Sequence, residues 1–139
     1  RDRVCAVSNK THYNEMNVLS MHALIGAYQP QGYEWVDELN QVLAGNIEYF
    51  CDYVDEHFEG VSYSRPQGTY MVFLDCTEWC REHGRDIQWL LDEGARVGVG
   101  YQDGRPFHGP CHIRVNLALP LSRVREACDR LDRYVFNAR

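Results

Sequence analysis

The residues of this chain best suited to chemistry gather in its second half. Cys76 and Cys80 stand four apart, and His108, Cys111 and His112 follow. Sulfur and imidazole are the ligands of a tetrahedral zinc ion, which needs four of them converging on one point. The spacing is poor for that purpose, because Cys111 and His112 are neighbours on what reads as a strand and would point to opposite faces. Buried thiols and surface imidazoles are the stronger reading, and no metal ligand is assigned. A cysteine nucleophile would need a histidine placed to hold its thiolate, and nothing in the spacing places one. The third candidate is Arg114. Ile113, Val115 and Leu117 alternate as an inward face, so His112, Arg114 and Asn116 share the other. An arginine in a central strand either lies in solvent or grips an anion, its planar fork matching a carboxylate through two parallel hydrogen bonds. Composition alone favours the solvated face, since charged side chains are mostly exposed. Any chemistry that needs a lysine amine has one candidate, Lys10.

The elements that must position these groups are read from periodicity. Arg1 to Asn14 has no sustained period and is expected to be extended or irregular. Asn17 caps a helix of roughly Val18 to Tyr28, ended by Pro30 and Gly32. That helix is apolar on nearly every side, requires cover all round, and points to a partner beyond this chain. From about Glu34 to Phe58 apolar residues recur at three- and four-residue steps, which predicts an amphipathic helix. It would span about 35 Å, long enough to bridge two lobes, with Gly45 interrupting and bending it. After Gly60 the period drops to two. Val61–Arg65 and Thr69–Asp75 read as strands around a tight turn at Pro66-Gln67-Gly68. Glu78–His83 and Asp86–Glu93 read as helical pieces broken at Gly84. A short strand at Ala95–Val99, a loop over Gly100–Pro110, and a strand at Cys111–Leu117 follow. Pro120 opens the last helix, whose stripe is Val124, Ala127, Cys128, Leu131 and Val135. This order predicts an α+β fold, a small mixed or antiparallel sheet with helices mainly on one face, preceded by a long bridging helix.

At 139 residues, with 45% apolar and 24% charged residues, the chain fits one domain and neither disorder nor coiled coil. No apolar run approaches the roughly 20 residues of a membrane span. A net charge of −6 argues against a nucleic-acid partner, which would want a basic stripe. The first thirty residues carry no secretory signal, so six reduced cysteines in a cytoplasmic protein are expected.

Four stretches, in order, resemble one family. They are Asn17 with Ala23, Ala27-Tyr28 and Gly32-x-x-Trp35; Leu43-Ala44-Gly45-Asn46; Pro66-Gln67-Gly68-Thr69-Tyr70 followed by Phe73-Leu74-Asp75; and Ile113-Arg114-Val115-Asn116-Leu117-Ala118-Leu119-Pro120. From Asn17 to Asn137 the chain resembles the C-terminal part of fold-type-I pyridoxal-phosphate enzymes, aminotransferase class I/II. Its likeness is greatest to the cystathionine β-lyases and C–S lyases related to MalY and PatB. The resemblance implies pyridoxal 5′-phosphate as cofactor of a full-length enzyme, an amino-acid substrate, and a homodimer. It implies that Arg114 grips the substrate α-carboxylate and that the loop carrying Phe107 and His108 approaches the active site. His108 departs from the usual small residue. The family's Schiff-base lysine, pyridine-nitrogen aspartate and phosphate-binding residues find no match, and Lys10 lacks the apolar run that should follow such a lysine. Neither a catalytic nor a cofactor-binding residue is therefore assigned to this chain. The expectation is a fragment, inactive alone and missing an N-terminal large domain. Residues 1–32 would be a lead-in belonging to the large-domain side, and 33–139 the small domain. A C–S lyase is preferred; an aminotransferase is the alternative, and a stand-alone α+β binding domain with a Cys/His metal site the alternative of another class.

Overall fold

The computed structural model describes residues 1–11 and 16–138. Contacts divide the chain into two units, Arg1–Asn40 and Gln41–Arg139. The first unit holds α1 (Asp2–Thr11), α2 (Val18–Ala27) and the opening turns of α3 (Pro30–His57). α1 corrects the expectation of an irregular opening. It has no apolar stripe to betray it, but Asp2 in its first turn and Lys10 in its last suit the helix dipole; 12–14 lie outside the described residues. α2 begins where its cap predicts, with Asn17 Oδ1 accepting from the Ser20 amide at 2.8 Å. None of its residues is buried, and Leu19 is 83% exposed. Pro30 does not merely end α2; it starts α3. At the first helical position proline has no amide to lose and its φ is already helical. α3 then runs through Gly45 without interruption.

The second unit is a four-stranded antiparallel sheet in the order β1-β2-β4-β3 with helices on one face. β1 is Ser62–Tyr63, β2 Met71–Asp75, β3 Gln102–Asp103 and β4 His112–Asn116. α4 (Thr77–His83) and α5 (Ile87–Arg96) are separated at Gly84, whose φ of 60° closes α4 in the left-handed region. α6 (Leu121–Leu131) follows Pro120 and continues into a π-helical turn, Asp132–Phe136. The core lies where alternation puts it. Val72 and Leu74 of β2 and Ile113 and Val115 of β4 meet Phe50 and Val54 of α3 and Val124, Cys128 and Leu131 of α6.

Two strand expectations are corrected. β1 is only two residues long and the connection is the loop 64–70, in which Thr69 takes a left-handed φ of 71°, so the tight turn is absent. Ala95–Val99 is not a strand. α5 continues to Arg96, and Gly98 turns the chain at φ 77°. Val97 and Val99 mimic strand alternation yet pack on the core from a turn. The edge strand instead falls inside the expected loop, at Gln102–Asp103.

Candidate functional site

β2 and β4 pair as Met71↔Asn116, Phe73↔Arg114 and Asp75↔His112, while their alternate members are buried beneath the helices. Directly opposed residues share a face. Phe73, Asp75, His112, Arg114 and Asn116 therefore lie together on the helix-free side, joined by Gln102 opposite Arg114 and Ser62 opposite Asp75. His112, Arg114 and Asn116 share a face as the alternation requires.

Arg114 Nη1 donates to Gln102 Oε1 at 3.0 Å, and its guanidinium carbon stands 3.9 Å from the centre of the Phe107 ring. Among the described residues no carboxylate pairs with it. Both contacts orient the cation without neutralising it, since an amide is uncharged and a ring face only attracts. A fixed, unneutralised guanidinium on a half-buried face can take an anion through two parallel hydrogen bonds.

The loop before β4 places Phe107. The Gly104 amide donates to the His112 carbonyl at 2.9 Å, and the His112 amide to the Gly109 carbonyl at 3.2 Å. A Cβ at Gly104 would fall 2.4 Å from the His112 oxygen, and one at Gly109 2.5 Å from the Phe73 ring. Only glycine allows this closeness. Between them Arg105–Phe107 forms a 3-10 turn, closed by His108 in the left-handed region at φ 63°. The structure thus brings Phe107 to Arg114 and leaves the His108 side chain exposed.

The far end of β4 is tied to α3. Asn46, buried, donates from Nδ2 to the carbonyls of Leu117 at 2.9 Å and Leu119 at 2.8 Å.

Beside Arg114 lies a pair that sequence reasoning did not assign. His112 Nε2 is 3.7 Å from Asp75 Oδ2, and its ring is tilted against Phe73 with centroids 4.7 Å apart. His112 Nδ1 is buried without a partner among the described residues. Asp75 Oδ1 accepts from the Thr77 amide at 2.9 Å and hydroxyl at 2.5 Å. Burial works to raise the Asp75 carboxyl, but the two Thr77 donors and His112 together hold it below the usual carboxylate range. Only the strand register, which sequence spacing does not contain, could have revealed this pair.

The thiols read differently. Burial, then the neighbouring Cys111 thiol, pushes Cys80 up to about 12, and burial pushes Cys128 up to about 12. Burial also raises Cys76 and Cys51. Such thiols stay protonated at neutral pH, whereas nucleophilic attack needs the thiolate. Among the described residues no three His, Cys, Asp or Glu side chains converge on a metal position.

No protein-family model matches the sequence. Curated relatives do. The chain is 35% identical over 124 residues to a Mycobacterium leprae protein provisionally named cystathionine beta-lyase, covering 78% of this chain and 30% of that protein. A Mycobacterium tuberculosis protein with the same provisional name is 32% identical over 128 residues, with the same coverage. The fold matches the pyridoxal-phosphate-bound C–S lyase of Staphylococcus hominis at a TM-score of 0.80 and 22% identity, covering 95% of this chain and 35% of that one. In sequence the chain is thus similar to part of the mycobacterial proteins, and in fold to part of a pyridoxal-phosphate-bound C–S lyase. A Thermus thermophilus aspartate aminotransferase tetra mutant also shares the fold, at a TM-score of 0.77 and 18% identity over 94% of this chain and 34% of that one. The chain spans 30% of the length of the curated relatives it matches.

The residues present do not by themselves make a pyridoxal-phosphate site of the fold-type-I kind. Lys10 is the one lysine, and it sits exposed in the last turn of α1. No helix among the described residues is long and apolar enough to cross a membrane.

Proposed function

We propose that the protein is part of a pyridoxal-phosphate-dependent enzyme acting on amino acids, a C–S lyase of the cystathionine β-lyase type, in which Arg114 binds the substrate α-carboxylate. The observation that carries this reading is the oriented, unneutralised Arg114 guanidinium, held by Gln102 and Phe107 on the open sheet face. A lysine there could not present two parallel donors to a planar carboxylate. The provisional names of the mycobacterial relatives favour the lyase. An aminotransferase is the second reading, supported by the fold match to the Thermus thermophilus enzyme.

In this proposal residues 33–139 are the small domain and 1–32 the lead-in from a larger one. α2, apolar and exposed along its whole length, supports further protein beyond this chain. Cofactor contacts would come from residues outside these 139. A cytoplasmic homodimer is the expected setting.

The test is Arg114→Ala in the full-length enzyme. Loss of a charge-assisted pair should raise KM and lower kcat/KM by about 10- to 100-fold, with Arg114→Lys recovering part. An unchanged kcat/KM would remove Arg114 from the site. Release of pyruvate and ammonia identifies the lyase; amino transfer to a 2-oxo acid identifies the aminotransferase.

A further inference from the structure

A cleft of about 290 Å³ opens on the same sheet face as Arg114, walled by Ser62, Tyr63, Ser64, Phe73, Asp75 and His112. We propose that it is a second subsite, which receives the distal amino-acid end of a thioether substrate with Asp75 on its ammonium group. This inference rests on Arg114 holding the α-carboxylate, and it names what the other end of the same molecule meets.

Phe73 is the cross-strand partner of Arg114 and also a wall of the cleft, so the cleft begins one strand away from the guanidinium. β1 lies beyond, and neighbouring strands are about 4.8 Å apart, which puts the far wall about 10 Å from Arg114. A thioether that joins two amino-acid ends can lie across that distance, its sulfur and methylenes over the Phe73 ring. An S-alkyl cysteine would stop at Phe73.

The carboxylate is half satisfied: Oδ1 takes both Thr77 donors, while Oδ2 has only His112 Nε2 at 3.7 Å, beyond hydrogen-bond reach. The Asp75 side chain is 39% exposed, so Oδ2 is open to a ligand. The nearby cation on β1's flank, Arg65, is committed to Asp52 at 2.9 Å. Ser62 and Ser64, both exposed, supply hydroxyl donors for the carboxylate of the same distal end. An ionised acid beside two hydroxyls matches an ammonium and carboxylate borne on one carbon.

Asp75→Asn tests this in the full-length holoenzyme, because asparagine keeps the acceptor that Thr77 needs while removing the charge. Two substrates are compared, L,L-cystathionine and S-methyl-L-cysteine. The ratio of their kcat/KM values should shift about tenfold against cystathionine, with Asp75→Glu restoring part of it. Isothermal titration of the cofactor-free protein should show weaker cystathionine binding in the Asn variant. Arg114→Ala should lower kcat/KM for both substrates and leave their ratio within about twofold. An unmoved ratio and unmoved binding in Asp75→Asn, with Arg114→Ala impairing both substrates, would overturn the subsite and spare the α-carboxylate reading. If Arg114→Ala impairs neither substrate, both readings fall.

Discussion

At the scale of single residues, environment rather than type decides what each reactive group can do. Six cysteines invite a metal or nucleophile, yet Cys51, Cys76, Cys80 and Cys128 are buried as small hydrophobes, while Cys5 is exposed and Cys111 half-buried. Iodoacetamide at about pH 8 should therefore label Cys5 readily and Cys111 slowly, and reach the other four only in denaturant; mass spectrometry of the labelled peptides checks this. Rapid native labelling of Cys76 or Cys80 would contradict their burial. Arg114 and its face were legible from alternation alone, because period two in a half-buried strand is a direct print of burial. Gln102 and Asp75 were not, since a cross-strand neighbour is fixed by register, and register lies in the packing of the whole sheet.

At the scale of elements, capping and tethering hold the site. Asp75 ends β2, and its carboxylate accepts from the amide of Thr77, the first residue of α4. Its carboxyl lies below the ordinary value in the folded chain, so on acidification the unfolded chain takes up the proton first. The stability from these contacts is complete above about pH 4 and is lost as pH falls through the lower folded value. Between about pH 5 and pH 3 the urea midpoint of the native protein should fall further than that of Asp75→Asn. Asn46 offers a second check. Its replacement by Ala leaves the buried Leu117 carbonyl and the part-buried Leu119 carbonyl without this donor, and should cost about 1–3 kcal/mol in urea unfolding. Most elements were readable in advance, including the α2 cap at Asn17 and the α4–α5 break at Gly84. α1 was hidden because a polar ten-residue helix carries no stripe. The edge strand β3 was hidden because two paired residues carry no period at all.

At the scale of the whole molecule, the proposal makes the chain one portion of an enzyme whose cofactor contacts lie elsewhere. The chain alone, mixed with pyridoxal phosphate and treated with borohydride, should yield no adduct on Lys10 by mass spectrometry. A stoichiometric adduct there would give Lys10 the role its exposed place on α1 argues against. β4 is fastened at both ends, by the Gly104 and Gly109 hydrogen bonds to His112 at its start and by Asn46 of α3 at its finish. The backbone beneath its arginine is consequently held from both sides. The strand that carries the guanidinium therefore shares its anchorage with α3, and loosening the asparagine bracket would free the end of β4 next to the arginine.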